Sequence, residues 1–152
     1  MADTSGLGQV VRPEDVETLV FDWGRIKWLN EVRVTGATSC SSGVVVVDPG
    51  RGHQRHDHPD SDESLYIIQG VGEQMLEDED GTQRREPVRA GDVVFIPKGV
   101  FHATTNVGWE PLRILVVYAP GGPERLVREM PDCEIVPAGH VPIRNDLVAR
   151  EV

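Results

Sequence analysis

Four side chains in this 152-residue chain carry the donor atoms that divalent metals prefer, at spacings that can bring them together. His56 and His58 stand two apart, so on an extended segment both imidazoles leave the same face and can reach one ion. Glu63 follows Pro59-Asp60-Ser61-Asp62, a turn-forming stretch that can bring the chain back alongside itself. His102 comes much later, just after Pro97-Lys98-Gly99, where a strand must end and turn. Imidazoles with one carboxylate suit a single divalent first-row transition ion. Four protein ligands leave room on an octahedral ion for water or substrate oxygens. The ion could then serve as Lewis acid, as template for a bidentate substrate or, if redox-active, as an oxygen-activating centre.

The surroundings of these residues sharpen the reading. From Gly50 the chain runs Gly, five residues, His56-x-His58, four residues, Glu63, six residues, Gly70. From Gly91 it runs Gly, five residues, Pro97-x-Gly99, two residues, His102, three residues, Asn106. The two stretches resemble the paired motifs of the cupin superfamily, with all ten defining positions filled in register, and the resemblance spans about residues 43–118. It implies an all-β double-stranded β-helix, or jelly-roll barrel, with His56, His58, Glu63 and His102 as metal ligands. Iron, manganese, nickel and zinc all occupy such cupin sites, so the residues do not choose among them.

The resemblance also implies a small-molecule substrate, within a range of activities that the fold does not narrow. Cupins include dioxygenases, decarboxylases, isomerases and polyketide cyclases, as well as non-catalytic ligand-binding or sensor domains. The complete ligand set favours catalysis. An aromatic content of only 5% tilts the expectation toward an oxygen-rich organic acid or sugar derivative, ahead of an aromatic or diketone substrate.

Around the ligands, Gln54 is in phase with His56 and Thr104 with His102, which nominates both to orient substrate by hydrogen bonds. Glu63, placed directly after an Asp-rich turn, is a candidate general base with some freedom to move. Tyr66 and Tyr118 are the next candidates for that role and for the pocket wall. In cupins the position of Asn106 fixes a turn or backbone. His53 is out of phase with His56 and His58, and His140 sits in a Pro-rich tail, so both read as surface histidines. Trp23 and Trp28 are assigned either to one mouth of the barrel or to a subunit contact.

The elements that must position these groups are short runs rich in Val, Ile, Thr and aromatics, separated by Gly, Pro and Asp. They are residues 19–21, 32–34, 43–47, 65–68, 93–96 and 114–118, all read as strands. One helix is expected over 123–130, with Pro123 at its first position. Between the motifs, residues 71–90 suit a hairpin with its tip near Asp80-Gly81. A single domain is expected, with an N-terminal arm over residues 1–31 and a C-terminal helix and tail over 120–152. A net charge of -10 argues against nucleic acid or an anionic membrane surface. With no long apolar run or leader, the expectation is a cytoplasmic protein in which Cys40 and Cys133 are ordinary thiols. A homodimer is expected, in which residues 16–21 pair with the neighbouring subunit's sheet and hide open edges.

Overall fold

Alternation of buried and exposed residues organises the chain into a two-sheet jelly roll. The computed structural model describes residues 6–143. Its strands are β1 (Thr18–Phe21), β2 (Gly24–Asn30), β3 (Ser41–Val47), β4 (Asp62–Gln69), β5 (Val71–Glu77), β6 (Gln83–Arg89), β7 (Val93–Ile96), β8 (His102–Asn106), β9 (Leu112–Ala119) and β10 (Glu134–Val136). The one α-helix among the described residues, α1, covers Pro123–Arg128. A seven-stranded sheet in the order β10-β1-β2-β3-β9-β4-β7 accompanies a three-stranded sheet in the order β6-β5-β8. The all-β expectation, with one short helix near the C-terminus, is met.

Strand β9 shows how sequence produces this arrangement. Leu112, Ile114, Val116 and Tyr118 turn inward, while Arg113, Leu115 and Val117 turn outward. The inward set packs with Leu19, Val47, Ile67 and Ile96, all nearly without solvent contact. Fully burying one such side chain contributes about 1.5–3 kcal/mol, so the core has its own driving force without an ion. Gly43 lies where β3 passes under Trp28: a Cβ there would come 2.7 Å from the indole ring. The hairpin between the motifs also forms, with Gly81 N donating to the Asp78 carbonyl at 2.9 Å across its tip.

Two expectations are corrected. Residues 32–34 form a turn, in which Val34 N and Thr35 N both donate to the Glu31 carbonyl at 3.0 and 2.9 Å. The strand in this region is β2, whose Ile26 and Trp28 face the core. Strand β1 is no free arm either. It pairs with β2 on one edge and β10 on the other, so it has no open edge to offer a neighbouring subunit. Helix α1 returns the chain toward β10 and is fixed by charge. Arg128 meets Glu17 at 2.7 Å and the buried Glu31 at 2.6 Å, while Glu124 accepts from Ser41 Oγ at 2.7 Å and Gly122 N at 2.9 Å. Among the described residues, no helix is long and apolar enough to cross a membrane.

Candidate metal centre

Strand β8 provides His102, and the segment before β4 is laid against it by backbone bonds. His56 N donates to His102 O at 3.1 Å and His102 N to His56 O at 2.8 Å; Gly99 N donates to His58 O at 2.9 Å. The anchorage continues at Gly52, which bridges Thr105. Only glycine fits there, since a Cβ would lie 2.7 Å from the Thr104 carbonyl oxygen. The ligand atoms of His56, His58 and His102 all fall within 4.8 Å of one another.

Glu63 arrives from the other sheet. It pairs with Ile96 on one side and Tyr118 on the other, so its backbone is held mid-sheet rather than hinged at a turn. Its Oε2 lies 2.8 Å from His102 Nε2 and 3.5 Å from His58 Nε2. All three atoms are buried, yet none makes an aligned hydrogen bond. Buried polar atoms nearly always have well-aligned partners, so three that converge with only the ion-pair contacts of Glu63 between them suit a cation.

The outward nitrogens fix the tautomers of two of these histidines. His56 Nδ1 donates to the Gln54 carbonyl and His102 Nδ1 to the Val100 carbonyl, each at 2.8 Å. Those bonds place the proton on Nδ1 and leave Nε2 as an acceptor turned toward the cluster, the tautomer a metal requires. Burial pushes the His58 imidazole down to about 4 and lowers His56 as well. For His102 burial works in the same direction, but the Glu63 carboxylate outweighs it and the pKa rises. Burial, reinforced by the Glu63 charge, holds the Tyr118 phenol well above its usual value. It stays protonated, so it can donate a hydrogen bond but is a poor base.

These features meet the family comparison at the same residues, since residues 43–118 match the model described as Cupin domain. The chain is a cupin. It is 32% identical to protein SchB of Streptomyces halstedii, over 79% of this chain and 83% of SchB. Polyketide synthase CurC of Streptomyces cyaneus is 30% identical over 76% of this chain and 72% of CurC. Oxalate decarboxylase OxdC of Bacillus subtilis is 28% identical over 67% of this chain, which spans only 26% of OxdC. Among solved structures, the formate complex of Lactobacillus farciminis oxalate decarboxylase superposes with a TM-score of 0.65 at 27% identity, covering 77% of this chain and 38% of that one.

Inside the cupin, a cavity of about 520 Å³ opens onto His56 and Glu63. Its walls include Ile26, Trp28, Val45, Leu65, Ile114 and Val116, with Trp23 and Tyr118 beside them, and Val127 and Met130 enclose it from the side of α1. Gln54 and Thr104 line it as expected, although the Thr104 hydroxyl already donates to Gln74 Oε1 at 2.8 Å. Asn106 fixes backbone rather than substrate, bonding Val47 O, Glu110 O and Gly108 N.

Two residues are placed differently from the sequence reading. Tyr66 points away from the cavity and is 45% exposed, because it alternates with the buried Leu65 and Ile67 on β4. His53 lines the cavity, its ring 4.9 Å from His56 and 5.5 Å from Trp23. The reason is a slip in register. Gly52 opposes Thr105 and His56 opposes His102, so four steps on one side span three on the other. That extra residue is a β-bulge, and it carries His53 to the face of His56. Simple alternation from His56 could not reveal it, and Gln74 was missed because nothing local marks its partner on β8.

Proposed function

We propose that this cupin binds one divalent first-row transition ion through His56, His58, His102 and Glu63, and acts on an aromatic or diketone-type small molecule. The observation that carries the substrate reading is the cavity, where Ile26, Val45, Leu65, Ile114, Val116 and the aromatic side chains make up more of the wall than the polar groups, Asp22, Arg55 and Asp132 among them. A small dianion such as oxalate would leave that wall unfilled, whereas a ring or an apolar chain would cover it. Low overall aromatic content had favoured the organic acid, but three of the few aromatic residues, Trp23, Trp28 and Tyr118, gather at this cavity. The similarity to the polyketide synthase protein CurC over 72% of its length supports the same choice.

When bound, the ion would act as a Lewis acid toward two vicinal or 1,3-related oxygens of the substrate. The chain's own residues do the rest. His56 and His102 keep their lone pairs inward through their backbone bonds, so the site is assembled before substrate arrives. Glu63 lowers the net charge at the ion and is the nearest carboxylate able to take a proton from substrate. The Tyr118 phenol stands ready to donate to an oxygen that gains charge. Trp23 and Trp28 exclude water and present flat surfaces against which a ring can lie.

The test uses the tryptophans as reporters. Metal-loaded protein is titrated with acetylacetone, 2,3-dihydroxynaphthalene and oxalate while indole fluorescence is followed. Saturable quenching by the first two, with oxalate weaker by tenfold or more, supports the reading. Preferential binding of oxalate would reverse it in favour of an organic-acid substrate. Binding without turnover across a broad aromatic and diketone panel would favour a non-catalytic sensor.

A further inference from the structure

Several polar groups in the cavity wall are already engaged with the protein. The Thr104 hydroxyl donates to Gln74 Oε1 at 2.8 Å, and His56 Nδ1 donates to the Gln54 carbonyl at 2.8 Å. Arg55 lies bidentate on Glu77 at 2.6 and 2.7 Å, with its guanidinium over the Phe101 ring. His53 is different. Its ring lines the cavity, yet its Nδ1 is buried and makes no aligned hydrogen bond among the described residues. A buried polar atom left without a partner costs stability, and its retention calls for an explanation.

The ring is fixed in place. On one side of it in sequence, Gly52 is pressed against β8, where a Cβ would lie 2.7 Å from the Thr104 carbonyl oxygen and 2.9 Å from Thr105 Oγ1. On the other, His56 exchanges backbone bonds with His102 at 3.1 and 2.8 Å. The bulge between these anchors turns His53 inward. Its ring then stands edge-on to His56 at 4.9 Å and to Trp23 at 5.5 Å, and Trp23 is itself stacked on Phe21 at 5.0 Å. Packing of this kind holds a side chain in one orientation before any ligand arrives. Nor is His53 part of the metal cluster, in which the ligand atoms of His56, His58 and His102 lie within 4.8 Å of one another.

We propose that His53 is a specificity-determining residue, which hydrogen-bonds a third oxygen of the substrate carried close to the pair that chelates the ion. This rests on the aromatic or diketone reading given above and narrows it to molecules with three neighbouring oxygens. A neutral imidazole has one N–H and one lone pair, so it can meet a hydroxyl or a carbonyl. An apolar substituent in the same place would expel water from the ring and leave it unpaired in the complex. A buried hydrogen-bonding group rejects an analogue that lacks its partner in this way.

Calorimetric titration of the full-length, metal-loaded protein under anaerobic conditions tests the assignment with two probes, pyrogallol and 3-methylcatechol. They share a shape and a chelating pair, and differ by a hydroxyl in place of a methyl. The wild type is expected to bind pyrogallol tighter by about tenfold or more. His53→Leu, and His53→Phe, which keeps a flat ring between His56 and Trp23, should each bring that ratio to within about threefold. Affinity for 3-methylcatechol, metal content and circular dichroism should stay unchanged. A purely structural role would shift both affinities together and leave the ratio alone. Whichever variant keeps native circular dichroism decides the outcome. Equal affinities in the wild type, or a preference that survives in the variants, overturns the assignment and leaves the aromatic reading standing. Loss of metal by a folded variant also overturns it, since His53 would then belong to the metal site. Failure of both probes to bind the wild type overturns the aromatic reading and the assignment with it.

Discussion

Replacing Asn106 by Ala is expected to cost the metal-free protein about 2–6 kcal/mol, and the figure follows from three bonds. Asn106 Nδ2 donates to the Val47 carbonyl at 2.9 Å and to the Glu110 carbonyl at 2.7 Å, while Oδ1 accepts from Gly108 N at 2.9 Å. The side chain therefore ties β8, which carries His102, to β3 and to the turn before β9. Truncation strands the Val47 carbonyl in the core, a loss of about 1–3 kcal/mol. The other two groups lie where water can replace the amide, so each costs about 0.5–1.5 kcal/mol. For a domain of this size the sum corresponds to a drop in Tm of about 4–24 °C. Urea unfolding in the presence of a chelator is the assay, since it isolates the fold from the ion. Asn106→Asp preserves volume but removes both donors and sets a carboxylate against two carbonyls, so it should cost at least as much as Ala. A loss below 1 kcal/mol for either variant would refute this account of Asn106.

Three further predictions address the surroundings of the site. Glu124→Ala, which leaves Ser41 Oγ and Gly122 N without their shared acceptor, should destabilise by about 2–3 kcal/mol in urea unfolding and loosen the α1 wall of the cavity. His53→Leu removes a buried Nδ1 that has no aligned partner, so the metal-free protein should gain about 1 kcal/mol while keeping its metal capacity; a loss of stability would contradict the placement of that ring. In metal-free protein His58 is held near 4, below its unfolded value of 6.5, so the unfolded chain takes up a proton the folded one refuses. Stability should therefore fall by up to about 3 kcal/mol between pH 6.5 and 4 from this group, and His58→Gln should flatten the decline; His102, whose pKa is raised, works in the opposite direction.

The sequence revealed the site more fully than its setting, for physical reasons. Ligand spacing is local: His56-x-His58, the turn before Glu63 and the turn before His102 are set by a few residues each, and all four residues do converge. The jelly roll was legible from the same motifs and from the short strands between glycines and prolines. Longer-range features were hidden. Strand β2 was overlooked because Lys27 and Asn30 dilute its apolar alternation, and the pairing of β1 with β10 joins segments more than a hundred residues apart. His53 was misplaced because a bulge depends on the register of two strands, which one strand's sequence does not encode. Tyr66 and Tyr118 look alike in sequence, and only the side of the sheet each one faces separates them.

Metal analysis after reloading tests most directly whether His56, His58 and His102 with Glu63 hold a metal ion. Chelated protein is incubated with excess iron, manganese, nickel or zinc, freed of unbound metal and measured against protein concentration, alongside His58→Ala and His102→Ala. The expected result is about one ion per chain in the wild type for at least one metal, and less than a tenth of that in either variant, with circular dichroism unchanged. Wild-type protein that retains none of the four metals, or variants that retain as much as the wild type, would contradict it.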